Sequence, residues 1–256
     1  MIGNVQACRY AEQSRFDFSL APNPLEAAIL PVALTGNHMY PFDFRPSRAQ
    51  SRHEELANGI SHGLALVAMM FGTPWLIVNT VRYGSAADVV GASVFSATAM
   101  LLYFSSSLYH LLPPGGVKQV CQRIEHAAIF LLIAGTYTPF TLGVLRGGWG
   151  WTLFGLIWGM AAAGIVLNMM AKRPHPVVAT GLYLVMGWLI VLAARPLMSV
   201  LPASGLWWLA GGGLFYTLGV VFFATDARLR FGHFIWHLFV MGGTLCHYFA
   251  ILWYAS

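Results

Sequence analysis

Seven stretches of mostly apolar residues follow one another between residues 59 and 254. A helix needs roughly 20 apolar residues to cross ~30 Å of hydrocarbon, and each stretch reaches that length. Only 9% of the residues are charged, whereas a soluble domain carries about 25%. We therefore predict an all-α integral membrane protein, a bundle of seven transmembrane helices. The predicted spans are 59–81, 89–112, 126–145, 150–170, 177–198, 205–224 and 233–254.

The basic residues between the spans predict the orientation of the bundle. Lysine and arginine are enriched on the cytoplasmic side of a membrane, and short connections make neighbouring helices antiparallel. Nine basic residues fall on one side of the predicted bundle and at most three on the other. We therefore expect a cytoplasmic N-terminus and a C-terminus outside. The nine are Arg45, Arg48, Arg52, Lys118, Arg123, Lys172, Arg173, Arg228 and Arg230, and the three are Arg82, Arg146 and Arg195.

The first 52 residues differ in composition from the remainder of the chain. Their one apolar run, residues 25–34, is interrupted by Glu26 and Pro31, so it does not fit a signal peptide. We expect residues 1–52 to form a poorly ordered cytoplasmic extension and residues 53–256 to form the membrane domain. The net charge of +5 is spread singly or in pairs between spans, which is typical of membrane-flanking charge and does not indicate a nucleic-acid partner.

Ionisable side chains gather at the ends of four predicted spans. Such groups are costly in a membrane and mark function by default. His110 ends the second span, whereas His233 and His237 open the seventh. In the predicted topology these ends share one depth on the cytoplasmic side, together with His62 of the first span and Glu125 of the third. This convergence predicts a shared site.

The spacing of the histidines favours a metal ion. Side chains at positions 233 and 237 stand one helical turn apart, ~6 Å along the axis and ~40° around it. His110 from a facing helix would supply a third nitrogen. Three histidines with an open fourth position are the pattern of a catalytic zinc site. Such a zinc ion can lower the pKa of bound water to about 7 and polarise a carbonyl group. A lone His-x3-His pair is more often incidental, so the prediction depends on the common depth.

Further polar residues are candidates for roles around the metal. Ser106 lies one turn before His110 and could hydrogen-bond the metal water or a developing oxyanion. Glu125 is a candidate general base or partner of a ligand, although it could instead pair with Arg123. Asn58 and His62 are expected to be hydrogen bonders around the ligands.

Two other histidines are expected to lie outside this site. His126 directly follows Glu125, so the two side chains cannot point the same way on a helix. His247 follows His237 by ten residues, about 15 Å along a helix axis. We expect His247 to be packed or to face outward.

Several ordered motifs resemble the hemolysin III branch of the progestin and adipoQ receptor family. The similarity runs from about residue 53 to the C-terminus. The motifs are Glu54-Glu-Leu-Ala-Asn58-Gly-Ile-Ser61-His62-Gly, Ser106-x3-His110, Ile124-Glu-His-Ala-Ala-Ile with Ile133-Ala-Gly-Thr-Tyr-Thr-Pro139-Phe, and His233-x3-His237.

The resemblance implies seven helices with a cytoplasmic N-terminus and Zn²⁺ on His110, His233 and His237. It also implies a bacterial inner (plasma) membrane location and a hydrolase-like site, with ceramidase activity suggested for receptor-branch members. The chain departs from the family at Glu125, where the family usually has aspartate. The extra methylene moves the carboxylate by ~1.5 Å, enough to ligate zinc directly or to misplace a base.

Four functions remain in competition on sequence grounds. The first is a zinc-dependent hydrolase that cleaves an amide or ester of a membrane lipid. The second is a non-enzymatic sensor or regulator of membrane lipid state, in which zinc holds the bundle together. The third is a cytolysin, as the family name suggests, although a secreted pore-former must first be soluble. The fourth is a haem protein with axial histidines. Membrane lipids are the expected partners; no soluble protein partner is inferred, and the oligomeric state is left open.

Overall fold

A computed structural model describes residues 48–171 and 176–255, without the side chain of Pro176. The predicted extension 1–52 thus lies outside the described residues except for its last five. The described chain is helical and contains no strand. The α-helices are α1 (Arg52–Tyr83), α2 (Ala86–Leu111), α3 (Gly116–Pro139), α4 (Gly147–Met170), α5 (Pro176–Trp188), α6 (Ala194–Val200), α7 (Ala203–Thr225) and α8 (Gly232–Tyr254). A π-helical turn, Phe140–Val144, extends α3, and a 3-10 turn, Leu189–Ala193, joins α5 to α6.

Seven segments of the described chain are long and apolar enough to cross a membrane. Helices α5 and α6 together form the fifth of them, Val177–Val200. Large apolar side chains stand on the outside of the bundle: Phe71 is 79% exposed, Met170 80% and Trp207 76%. A soluble monomer rarely exposes so much contiguous apolar surface. The chain is therefore a multi-pass membrane protein, which confirms the predicted seven-span bundle.

Two helices begin well before the predicted spans. Helix α1 begins at Arg52, where Ser51 and Glu54 form a reciprocal capping box, and α3 begins at Gly116. Hydropathy locates the part of a helix that is apolar, and the first turns of both helices are polar. As a consequence, Glu125 lies in the third turn of α3, not at its start.

The fifth span is broken within the bundle. Pro196 cannot donate a backbone hydrogen bond, and its ring clashes with the carbonyl four residues earlier, which accounts for the 3-10 turn before it. The hydroxyl of Tyr137 compensates the break. It lies 2.8 Å from the Met186 carbonyl oxygen and accepts a 2.8 Å hydrogen bond from the Ile190 amide. Irregular backbone at membrane depth persists where protein groups satisfy it in this way.

Close packing of α1 against α2 positions the polar end of the bundle. A Cβ atom at Gly59 would lie 2.7 Å from Cγ of Leu111, so a larger residue would force the Leu111 side chain to move. Ser107 Oγ donates a 2.8 Å hydrogen bond to the Gly59 carbonyl. The start of α1 therefore sits directly against the end of α2. We call the end of the bundle at which α1, α3 and α8 begin and α2 ends the histidine end.

Candidate metal centre

Three histidine rings converge at the histidine end. His110 is in the last turn of α2, and His233 and His237 are in the first two turns of α8. The ring centroids are 5.1 Å apart for His110 and His233, 5.1 Å for His110 and His237, and 4.8 Å for His233 and His237. His110 and His237 are buried, with 3% and 1% of their surface exposed. Three imidazoles from two helices thus face one another inside the protein.

An oxygen acceptor holds the Nδ1 atom of each ring. His110 Nδ1 lies 2.8 Å from Glu55 Oε2, and His233 Nδ1 lies 3.0 Å from Asp226 Oδ2. His237 Nδ1 lies 3.2 Å from the backbone carbonyl oxygen of Asn58. Carboxylates and carbonyls only accept hydrogen bonds, so Nδ1 carries the proton in the neutral rings and Nε2 has a free lone pair. Metal-binding histidines are usually oriented in this manner.

Glu125 completes the cluster from α3. It is 6% exposed, and its Oε1 atom lies 3.8 Å from Nε2 of His110. That Nε2 atom is buried and has no hydrogen-bond partner in the described part of the chain. The carboxylate is thus placed either to act as a fourth ligand or to accept a proton beside three nitrogen ligands.

The four side chains fit a divalent metal ion. One ligand atom from each of His110, Glu125, His233 and His237 lies within 4.8 Å of the others. A tetrahedral zinc ion with bonds of about 2.1 Å needs ligand atoms about 3.4 Å apart, which small side-chain rotations would provide. The donor set of three imidazole nitrogens and one carboxylate oxygen suits zinc and related transition metals.

The other predicted site residues lie on α1, which carries Asn58 and His62, and on α2, where Ser106 is one turn before His110. Ser106 is fully buried, and its Oγ has no hydrogen-bond partner among the described residues. The side-chain amide of Asn58 donates to Gln50 Oε1 at 2.6 Å. The ring of His62 stacks on that of His237, with centroids 3.6 Å apart and planes within 5°. Neither nitrogen of His62 has a hydrogen-bond partner in the described chain, so His62 contacts His237 through the face of its ring.

Glu54 ties the start of α1 to the start of α8. It is 2% exposed and accepts two 2.7 Å hydrogen bonds from Arg48. The same carboxylate accepts a 2.9 Å hydrogen bond from the backbone amide of Phe231, which precedes α8 with a φ of +58°. This contact fixes the turn from which His233 and His237 project. The Glu54 hydrogen bonds also raise the pKa of the Arg48 guanidinium above its usual value.

Sequence reasoning assigned no role to the acidic residues that orient the histidines. Glu55 lies next to Glu54 in the first turn of α1, and Asp226 follows α7. Adjacent acids in a first helical turn are ordinary partners of the helix dipole. The one available signal was the Glu54-Glu55 pair within the family-like motif, and it carries no information about which histidine each acid reaches.

Replacing Glu55 by glutamine is expected to lower metal affinity roughly 10- to 100-fold, as loss of such orienting partners typically does. The amide is neutral, so it holds the Nδ1 proton of His110 less strongly. Affinity is measured by competition with a chelating dye. Lys118→Met is the matched control, because Lys118 lies 3.1 Å from Glu55 Oε1 and its removal leaves the Glu55–His110 contact in place. Unchanged affinity in Glu55→Gln would contradict an orienting role.

A cavity of about 370 Å³ adjoins the cluster. Glu125, His62 and His237 contribute to its wall at the histidine end, and apolar residues of α3, α5, α6, α7 and α8 form most of the remainder. Its volume falls within the roughly 300–1,000 Å³ that is usual for small-ligand pockets. The candidate metal centre is therefore accessible from an apolar chamber inside the bundle.

Comparison with known proteins identifies the relatives of this chain. The family model described as "Haemolysin-III related" matches residues 50–248. The chain is 40% identical to the Hemolysin-3 homolog of Bacillus subtilis over 201 residues, 78% of this chain and 94% of that protein. It is 40% identical to Hemolysin-3 of Bacillus cereus over 201 residues, 78% of this chain and 91% of that protein. The monocyte to macrophage differentiation factor of Homo sapiens is 30% identical over 210 residues, 78% of this chain and 83% of that protein. The chain therefore belongs to the haemolysin-III related family, the hemolysin III branch of the progestin and adipoQ receptor family.

Proposed function

We propose that this protein is a zinc-dependent hydrolase of the bacterial inner membrane that cleaves an amide or ester bond of a membrane lipid. The observation that supports this most directly is the junction of the His110–Glu125–His233–His237 cluster with an apolar cavity. A catalytic group beside an apolar chamber suits a substrate with one polar, reactive end and a hydrocarbon chain. The orientation predicted from basic residues would put this junction on the cytoplasmic side.

Each side chain has a defined part in the proposed reaction. The three histidines would hold the metal ion by Nε2, because their Nδ1 atoms contact Glu55, Asp226 and the Asn58 carbonyl. When bound, zinc supplies polarisation of the scissile carbonyl group and acidification of a water molecule. Glu125 accepts the proton of the attacking water and returns it to the leaving amine or alcohol. Ser106, with its hydroxyl unpaired among the described residues, donates a hydrogen bond to the carbonyl oxygen as it becomes negative.

The apolar cavity has two further parts in this proposal. It holds the acyl chain, and it keeps bulk water away from the reacting bond, which strengthens the electrostatic interactions there. The helices α5 and α7 flank the cavity and belong to the two least buried spans. Only 17% and 11% of the residues in their apolar stretches are buried inside the protein. A lipid would enter between these helices from the membrane.

A second candidate function is a non-enzymatic regulator of membrane lipid state with a structural metal. It is favoured by Glu125, whose carboxylate reaches the histidines closely enough to be a fourth protein ligand. Four protein ligands close the coordination sphere, as in structural zinc sites. The metal would then join α2, α3 and α8 and stabilise the bundle without reacting.

A lipid turnover assay on the purified protein tests the proposed function. Protein with verified metal content is incubated with N-acyl sphingoid bases and with ester lipids, and released fatty acid is measured by mass spectrometry. Fatty acid release is expected to stop on chelation and to resume when zinc is restored. No release from either lipid class, with one zinc ion bound per chain, would exclude the hydrolase and favour the regulator.

A further inference from the structure

His247 is a buried histidine of α8 that the metal centre does not use. It is 9% exposed and lines the same cavity as His237 and Glu125. Ten residues separate it from His237 along α8, a rise of about 15 Å. The cavity therefore runs from the metal centre past a second titratable side chain deep in the membrane span.

Two features of α7 fix the ring of His247. Its Nε2 atom lies 3.3 Å from the carbonyl oxygen of Leu209. A Cβ atom at Gly212 would collide with the same ring, so the absence of a side chain there makes room for it. Because a carbonyl only accepts, Nε2 carries the proton in this contact, and Nδ1 of the neutral ring is a bare acceptor.

The Nδ1 acceptor has no hydrogen-bond partner in the described part of the chain. A buried acceptor without a donor is costly, and native proteins usually satisfy it with protein, water or ligand. The neighbouring ring of Tyr216 does not provide the donor, because its hydroxyl pairs with Thr244 Oγ1 at 2.8 Å. Because the ring lines the cavity, a donor bound there is the candidate partner.

We propose that His247 Nδ1 accepts a hydrogen bond from a hydroxyl group on the acyl chain of a bound lipid, so that the cavity selects hydroxylated chains. The hydroxyl would lie about 15 Å from the lipid's polar end at the histidine end of the bundle. The mostly apolar wall between the metal centre and His247 fits hydrocarbon, and the fixed position of the His247 ring sets the position of the donor. The inference rests on the proposed lipid site but not on hydrolysis, because it concerns binding alone.

The test compares binding of four fatty acids of equal length to the zinc-loaded protein in lipid nanodiscs. One is unsubstituted, one has a hydroxyl group near its carboxyl end, one has the hydroxyl in the middle third of the chain, and one has a ketone at that same middle carbon. The fatty acid with the hydroxyl in the middle third of its chain is expected to bind about three- to tenfold more tightly than the fatty acid with the ketone there. That is the change in affinity that one hydrogen bond typically makes. The ketone has similar size and polarity but cannot donate, so this comparison isolates the donor.

His247→Phe is expected to abolish the preference for the middle hydroxyl, because the phenyl ring keeps the volume but not the acceptor. Thr180→Val is the matched control: it removes another buried, unpaired polar atom of the same cavity, and it should leave the preference intact. If His247→Phe does not fold, equal binding of the hydroxyl and the ketone by the unaltered protein still refutes the proposal, and His247→Leu replaces the variant for the assignment.

Three results would overturn the proposal. Equal binding of the hydroxyl and the ketone would mean that His247 is a packing residue, with Nδ1 satisfied by water. A preference that persists in His247→Phe or disappears in Thr180→Val would assign the acceptor elsewhere. Failure of all four fatty acids to bind would remove the lipid site itself. A hydroxyl preference in a protein that hydrolyses no lipid would sustain this inference and reject only the proposed reaction.

Discussion

Replacing His237 by alanine is expected to reduce bound zinc from one ion per chain to none at micromolar concentrations. His237 is 1% exposed and shares the cluster with His110 and His233, whereas His62, which stacks on its ring, is not part of that converging group. Loss of an orienting partner already costs roughly 10- to 100-fold in metal affinity, and loss of a ligand should exceed that range. Metal content of the purified protein, measured by mass spectrometry, gives the result directly.

The same variant should also lose thermal stability that depends on the metal. A ligand that binds only the folded state stabilises it by mass action, and this ion would connect α2, α3 and α8. Wild-type protein is expected to unfold at a lower temperature after chelation, whereas His237→Ala should show no further change. His53→Ala is the control, because His53 is exposed at the same end of the bundle. Stoichiometric zinc in His237→Ala would reject the three-histidine site.

The seven spans and the meeting of His110, His233 and His237 follow from information that is local in the sequence. Apolar runs of sufficient length fix the spans, and short connections fix the direction of each helix. Those two facts place the end of α2 and the start of α8 at the same end of the bundle. Because ligands one helical turn apart on α8 must share a face, a cluster with His110 could be anticipated without coordinates.

The residues that position the histidines and the broken fifth span could not be predicted, because their roles depend on contacts between distant segments. Glu54 accepts a hydrogen bond from the backbone of Phe231, 177 residues away. Neither segment contains a sequence pattern that predicts this contact. The break of the fifth span after Trp188 could not be predicted either, because a continuous apolar run predicts one helix whether or not the backbone is regular throughout. Its stability depends on the hydroxyl of Tyr137 from another span.

Replacing Glu125 by glutamine is expected to lower lipid turnover about 10²- to 10⁴-fold, the usual contribution of a general base. The amide is nearly the same size as the carboxylate but cannot accept the proton of water. If Glu125 is the base, the variant should retain one zinc ion per chain and close to wild-type thermal stability. The measurement is fatty acid release and metal content on the same preparation.

Glu125→Asp separates a base from a ligand. It shortens the side chain by one carbon–carbon bond, ~1.5 Å, and introduces the residue that the family usually has here. As a base acting on water, aspartate should retain turnover that glutamine loses. As a fourth protein ligand, Glu125 would instead bind zinc through its charge and reach, so both variants would lower metal affinity and thermal stability together. Loss of zinc in both, without turnover in the unaltered protein, would identify a closed structural site, because a catalytic zinc must keep one position open.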